Sequence, residues 1–367
     1  MSKEIKILHI IDSLGLGGAQ TVVKGVFEFQ KNNKNIFLFA LRNRDILMEV
    51  KHANVQIFNS SKKYSFAPLF ALRDLIKREE ISILHCHLFK SQIFGLLLKK
   101  IWFRNIKLIF HEHGEIFENH ITYILFMRAS RSTINRIIAV SNATKENLTA
   151  KAGIKDNKIQ VLYNFVDLNK FNKKNVTWNI EAEREKLGIQ NNEFAVGFAA
   201  RLVKRKGWEE FVQSAKLLKI QHPSIKFVIA GNGKDEVELL NFIKKNNLKN
   251  NIIFLGYVSD MAKFYSLLDC FVIPSHWEPM GLTEIEAQAL SVPVISANVP
   301  ALNEIIIDNE NGFMFEVKNS QDLSMKIELI YKDEKARNKF AKNGLESVIK
   351  YDLGDYVIKL NTSYEKI

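Results

Sequence analysis

The residues with the clearest chemical potential lie in one string, Pro274-Ser275-His276-Trp277-Glu278-Pro279-Met280-Gly281-Leu282-Thr283-Glu284-Ile285-Glu286-Ala287. Here two carboxylates, Glu278 and Glu286, follow the apolar run Leu268–Ile273. The spacing predicts Glu278 in a loop at a strand's end, Gly281 turning the chain, and Glu286 about one turn into the next helix. Glu278 is then placed to accept from sugar hydroxyls and Glu286 from a ribose, while the helix-start N–H groups near Gly281 and Leu282 face phosphate. Acids also favour a helix N-terminus for structural reasons alone. That explanation suits Glu284 but leaves the loop position of Glu278 without a cause. A second pair, Arg201 and Lys206, follows the run Phe194–Phe198. At a strand's carboxyl end these cations are spaced to converge on a diphosphate, the guanidinium as a bidentate fork and the ammonium as a point charge. Taken alone, Lys204-Arg205-Lys206 is also what a solvated basic face looks like.

The first half carries its own candidates. An apolar strand ends in Asp12 and feeds Ser13-Leu14-Gly15-Leu16-Gly17-Gly18-Ala19-Gln20, then a helix. Closely spaced glycines between strand and helix let backbone N–H groups approach a phosphate or acceptor. A dinucleotide fingerprint fails twice: Gln20 stands where the third glycine belongs, and Arg42 and Asn43 where a ribose-binding acid would follow the second strand. His85 and His87 end one strand, and His111 and His113 the next. One of the latter pair is expected to hydrogen-bond substrate or stabilise developing charge, while His9, His85, His87 and His120 are expected in structural hydrogen bonds. The spacing lacks the helical repeat of a zinc-binding helix, so no metal is expected. The segment 88–107 joins an apolar face to Lys90, Lys99, Lys100, Arg104 and Lys107, suited either to packing on a sheet or to anionic lipid headgroups.

Positioning these groups requires strands that end in loops, and the chain supplies them. Thirteen short apolar runs rich in Ile, Val and Phe alternate with segments of helical period. That is an α/β pattern with more strands than one sheet usually holds, so two doubly wound domains are expected, divided within the polar segment 171–189. The predicted boundaries are 1–172 and 173–350, with 351–367 a helix packing back toward the N-terminal domain. The composition, 47% hydrophobic and 25% charged over 367 residues, excludes disorder, collagen and coiled coil. Residues 1–170 hold 26 basic and 14 acidic side chains and the remainder 26 of each, so the whole +12 excess falls in the first half. An excess confined to one domain points to an anionic partner there. Cys86 and Cys270 lie in separate apolar runs and suggest no disulfide framework. No signal peptide or membrane span is read, so a cytoplasmic enzyme is expected, peripheral on the inner face of the cytoplasmic membrane.

With those residues in view, the chain resembles the retaining glycosyltransferases of family 4, of GT-B architecture, with two Rossmann-like domains facing a central cleft. The resemblance runs over nearly the whole length: the GLGGAQ loop, His113-Gly114, AVSNATKENL (139–148), VLYNFVDLNKF (161–171), ARLVKRKG (200–207), IAGNG (229–233), FLGYVSD (254–260), the string around Glu278 and NGFMF (311–315). It implies that Arg201 and Lys206 hold the donor diphosphate, that Glu286 binds ribose and that Glu278 binds the donor sugar. It further implies that Gly231, Gly233, Gly281 and Leu282 line the donor, and that His113 acts on the sugar, with His111 and Asn164 in reserve. Gly15, Gly17 and Gly18 would approach the phosphate or acceptor. Met280 departs from the family's usual aromatic residue. The expected reaction is front-face transfer, with no metal or cofactor, from a nucleotide-sugar, UDP-linked by preference. The acceptor hydroxyl would belong to a lipid-linked, lipopolysaccharide- or capsule-type glycan. A soluble enzyme making a small glycoside is the alternative, and a nucleic-acid-binding module, suggested only by the pI, the remote one.

Overall fold

The structure, a computed structural model, describes residues 4–43, 48–60, 65–114 and 121–367. The reading of His120 lies outside these residues. The chain divides into two units, Met1–Phe165 with Leu353–Ile367, and Val166–Asp352. The first boundary falls seven residues before the expected one, because Val166 already bridges Asp352 within the second unit.

In the first unit the strands are β1 (Ile7–Ile11), β2 (Ile36–Ala40), β3 (Val55–Ile57), β4 (Ile83–His87), β5 (Lys107–Glu112), β6 (Arg136–Ala139) and β7 (Ile159–Val161). They form a sheet of order β3-β2-β1-β4-β5-β6-β7, parallel throughout. Strands β1, β2 and β4 are buried at every position, the signature of a parallel sheet covered on both faces. Helix Gly18–Phe29 buries Ala19, Val22, Val23, Val26 and Phe27, a stripe at helical spacing. Helix Leu353–Glu365 belongs to this unit and buries Leu353, Tyr356, Val357, Leu360 and Tyr364 in a core shared with Ile7, Ile11 and Ile109. Each such side chain contributes about 1.5–3 kcal/mol by leaving water. Helix Asn142–Ala152 starts where Ser141 Oγ accepts from the Thr144 N–H at 3.1 Å and stops at Gly153, left-handed at φ 63°.

In the second unit the strands are β8 (Phe194–Ala199), β9 (Ile225–Ala230), β10 (Ile252–Gly256), β11 (Cys270–Ile273), β12 (Val294–Ala297) and β13 (Gly312–Phe315), in the order β10-β9-β8-β11-β12-β13. These strands are also parallel. The segment after Phe171 forms a short 3₁₀ turn, Lys173–Asn175, and one α-helix, Ile180–Lys186, capped by the Asn179 side chain on the Ala182 N–H. No helix among the described residues is long and apolar enough to cross a membrane.

Candidate active site

The strand order of the second unit fixes where its ligand crevice opens. From β8 the chain adds β9 and β10 on one side and then crosses to β11 on the other. The carboxyl ends of β8 and β11 therefore flank the switch point, where doubly wound sheets bind ligands. Arg201 and Lys206 follow β8, Glu278 follows β11, and Glu286 lies in the helix Leu282–Ala289.

Lys206 Nζ lies 2.5 Å from Glu278 Oε1, and Ser275 Oγ donates to the same oxygen at 2.7 Å. The two charged side chains are only 15% and 11% exposed. Removing such charges from water is costly unless they are paired and hydrogen-bonded, as these are. The two loops are also joined along their backbones. A Cβ at Gly207 would sit 1.9 Å from the Pro274 carbonyl oxygen, and the His276 N–H donates to the Arg205 carbonyl at 2.8 Å. Arg201 is exposed at the end of β8.

Glu286 accepts from the Tyr265 hydroxyl at 3.0 Å. Burial raises its pKa to about 7, with the Tyr265 hydrogen bond and the Lys170 ammonium each pulling it partway back. Glu284, in the first turn of the same helix, is buried rather than solvated at the helix start. Burial first, and the Glu278 charge second, push its carboxyl well above the usual range, opposed by the Gly281 N–H. Neither of its oxygens has a partner of good hydrogen-bond geometry. Gly281 does not turn the chain through left-handed backbone: its φ is −79°, and it caps the helix without a side-chain bond. Its small size matters instead, since a Cβ there would fall 3.0 Å from Glu284 Oε1. Leu282 begins the helix, and Met280 is buried beside it in sequence.

Gly231 and Gly233 occupy the loop after β9 and serve packing directly. Gly231 has φ +128°, and a Cβ there would lie 1.9 Å from the Ala200 carbonyl oxygen, while one on Gly233 would lie 2.2 Å from that of Leu202. The Leu202 N–H donates to the Asn232 carbonyl at 2.8 Å. The glycines thus let one loop press against the backbone that carries Arg201.

In the first unit the switch point lies between β1 and β4. Gly15 is buried, Gly17 and Gly18 are exposed, and helix Gly18–Phe29 starts without a side-chain cap. The Asp12 carboxylate accepts from the Ser91 N–H at 3.0 Å across the switch point. Burial lifts its pKa to about 6 against the pull of that N–H, Arg42 and Lys90. Asn164, past β7, is buried.

Parallel register sets the histidines side by side: His9 pairs with His85, and His87 with His111. His111 is 1% exposed with neither ring nitrogen hydrogen-bonded, whereas His113, just past β5, is half-buried. Two triplets, His9–His85–His87 and His87–His111–His113, bring ring nitrogens within 4.8 Å of one another. Some of these rings stack, His111 on His113 at 4.0 Å and 21° and His87 on His113 at 5.3 Å and 26°, and others are tilted, His9 to His85 at 40° and His87 to His111 at 38°. Of the basic group in 88–107, Lys99 turns inward to the Ile106 carbonyl and to Asn135 Oδ1.

From sequence, Ser275 and Tyr265 have no evident role, and Glu284, between the two glutamates, is only an acid at a helix start. Glu284 is three residues past Gly281, the position from which an acid folds back toward a helix's first N–H groups, and that spacing was the available signal.

Known proteins resemble the chain over most of its length. Residues 16–170 match the family model for Glycosyltransferase Family 4, and residues 179–347 that for glycosyl transferases group 1. The capsular polysaccharide biosynthesis glycosyltransferase CapM of Staphylococcus aureus is 27% identical over 94% of this chain and 93% of its own length. The UDP-Gal:alpha-D-GlcNAc-diphosphoundecaprenol alpha-1,3-galactosyltransferase of Escherichia coli is 28% identical over 94% of this chain and 92% of its own. Among solved structures, Anabaena HepE in complex with UDP and glucose superposes with a TM-score of 0.88 at 22% identity, covering 99% of this chain and 100% of that one. Two Rossmann-like units in the GT-B fold, matched in turn by the two family models, make this chain a family 4 glycosyltransferase.

Proposed function

We propose that the enzyme moves a sugar from a UDP-linked donor, with retention, to a hydroxyl of a lipid-linked or lipopolysaccharide- or capsule-type glycan in bacterial surface polysaccharide synthesis. The observation that carries this is the Lys206–Glu278 pair at the β8/β11 switch point. It offers a half-buried cation for a diphosphate beside a carboxylate for a sugar. Arg201 and Lys206 stabilise charge on the departing diphosphate, Glu278 accepts from the sugar hydroxyls and Glu286 from the ribose. Gly281, Leu282, Gly231 and Gly233 form the donor's backbone surroundings, and Gly15, Gly17 and Gly18 approach the acceptor or its phosphate. The bond from the anomeric carbon to the diphosphate breaks, the acceptor oxygen bonds to that carbon on the same face, and its proton passes to the leaving phosphate. His113 hydrogen-bonds the substrate. Its half-exposed position favours it over the buried His111. No metal or cofactor takes part in this scheme.

The uridine assignment draws support from the UDP named in the Escherichia coli relative and bound in Anabaena HepE. The lipid-linked acceptor draws support from the former's diphosphoundecaprenol substrate and from CapM's place in capsule synthesis. A cytoplasmic enzyme docked on the anionic inner leaflet suits the first unit, where exposed Phe66, Phe70 and Ile101 accompany the exposed cations Lys100 and Arg104. Arg73 stacks there on both Phe70 and Trp102. A thermal-shift screen of nucleoside diphosphates tests the donor half: UDP is expected to raise the melting temperature more than ADP or GDP. A chain indifferent to all of them would contradict it. Binding to anionic vesicles that falls steeply with salt tests the membrane half, and its absence would favour a soluble small-molecule acceptor.

A further inference from the structure

The histidines of the first unit are linked to one another by more than proximity. His113 Nε2 lies 3.0 Å from His87 Nδ1, and His87 Nε2 lies 3.0 Å from His9 Nδ1. His9 Nε2 is 3.2 Å from the Tyr364 hydroxyl, which is 2.7 Å from His85 Nδ1. The chain therefore runs His113–His87–His9–Tyr364–His85 and ends at His85 Nε2, which is buried without a partner. His87 and His9 spend both ring nitrogens inside it. Burial, the largest cause in every case, keeps these rings neutral: His9 and His113 fall to about 3, and His85 and His87 fall well below the usual histidine value.

A neutral imidazole has one N–H and one bare nitrogen, so each interior histidine must accept on one side and donate on the other. Tyr364 could accept from both neighbouring rings only by leaving its own buried hydroxyl proton unused, so with that proton donated it passes the direction of the chain on. Only two arrangements satisfy every link and also use the Tyr364 proton. In one, all four histidines carry the proton on Nδ1, and His113 offers an Nδ1–H donor beyond the chain. In the other, all four carry it on Nε2, and His113 offers a bare Nδ1 acceptor. A single reversed ring would set two N–H groups or two lone pairs face to face at about 3 Å, each leaving buried groups unsatisfied at roughly 1–3 kcal/mol. His111, whose nitrogens make no hydrogen bond, stands outside the chain.

We propose that these five side chains form one directional hydrogen-bond chain that changes tautomer as a unit, so that His87, His9 and Tyr364 are positioning residues that fix which group His113 presents to substrate. The proposal rests on the reading of His113 as a substrate contact. Tyr364 is the pivot, since a phenylalanine there keeps the ring and removes both links to His9 and His85. The tautomers are readable in long-range ¹H–¹⁵N correlation spectra of the histidine-labelled full chain, which need no activity. The expected pattern is one shared tautomer for His9, His85, His87 and His113. A mixed pattern, an imidazolium among them, or tightly bound stoichiometric zinc that His87→Ala abolishes would overturn the chain.

Tyr364→Phe then tests the coupling. It is expected to mix the tautomers at His9, His87 and His113 and to lower kcat about tenfold or more with KM for the donor held within about twofold. Tyr356→Phe is the matched control: it sits on the same helix, and its buried hydroxyl has no partner. That variant is expected to leave spectra and kcat unchanged. Equal losses in both variants, or an unchanged His113 signal in Tyr364→Phe, would overturn the coupling. Full turnover by His113→Ala would instead defeat the reading of His113 as a substrate contact, leaving the tautomer pattern to be judged on its own spectra.

Discussion

The Lys206 ammonium and the Glu278 carboxylate, 72 positions apart in the chain, meet at 2.5 Å where the loops after β8 and β11 converge. The pair holds both groups in place before any ligand arrives, which is the preorganisation a charge-stabilising site needs. Either partner's removal leaves the other charge half-buried with fewer hydrogen bonds. Lys206→Ala and Glu278→Ala are each expected to lower turnover by about 10²-fold or more, on the scale of losing one preorganised charge contact. Circular dichroism should show both variants folded; near-normal rates in either would refute the assignment.

Glu286 supplies a pH signature. Its folded pKa of about 7 means that the carboxylate, proposed above to accept from a ribose hydroxyl, is fully ionised only on the alkaline side of neutrality. Donor affinity is expected to rise between pH 6 and 8, and Glu286→Gln should flatten that rise. The Tyr265 hydroxyl bonds the ionised form and lowers this pKa. Tyr265→Phe should therefore move the midpoint to higher pH, and a midpoint that stays put would contradict the linkage.

A second buried acid acts on stability. Glu112 accepts from Gln92 Nε2 at 2.6 Å and from the Tyr123 hydroxyl, and burial raises its pKa to about 7 despite both hydrogen bonds. The folded chain keeps this proton up to about pH 7, whereas the unfolded chain releases it near the ordinary glutamate value. Between those limits the native state binds more protons, so stability falls as pH rises, by about 1.4 kcal/mol per pH unit from this group, and levels off above. Urea unfolding at pH 5 and pH 7.5 should show a smaller difference in Glu112→Gln than in the parent. An equal difference would exclude Glu112 as the source.

The glycines after β9 are expected to be intolerant of a single methyl group. Gly231→Ala meets the Ala200 carbonyl oxygen at 1.9 Å, in backbone of φ +128°, and Gly233→Ala meets that of Leu202 at 2.2 Å. Each should destabilise by about 1–3 kcal/mol through forced backbone movement and disturb the segment carrying Arg201. Chemical unfolding measures the first effect and UDP affinity the second; a variant at parent stability would show that the loop yields freely.

How far these features could be read in advance depended on whether their cause was local. Most of the apolar runs among β1 to β13 were legible because a strand buried on both faces must be apolar along its length, whereas the edge strands β3, β7 and β10 are only partly covered. The positions of Glu278, Arg201 and Lys206 followed from the strands they trail. The Lys206–Glu278 contact itself required the crossover that makes β8 and β11 neighbours, which no local spacing encodes. The histidine chain was hidden for the same reason. Each H-x-H pattern puts two rings on one face of its strand, but only the registers of β1, β4 and β5 align them, and Tyr364 arrives from the last helix. The packing reason for Gly281 was not legible either, because the space beside it is set by how Glu284 folds back from the helix.

The central claim is that a cationic clamp beside Glu278 grips a diphosphate, and comparing UDP with uridine by titration calorimetry isolates that grip. The parent chain is expected to prefer UDP by about 10²-fold or more, as charge-assisted hydrogen bonds to the phosphates require, and Lys206→Ala should reduce the preference to about tenfold or less. Equal affinity for uridine and UDP in the parent, or a preference that survives Lys206→Ala intact, would contradict it.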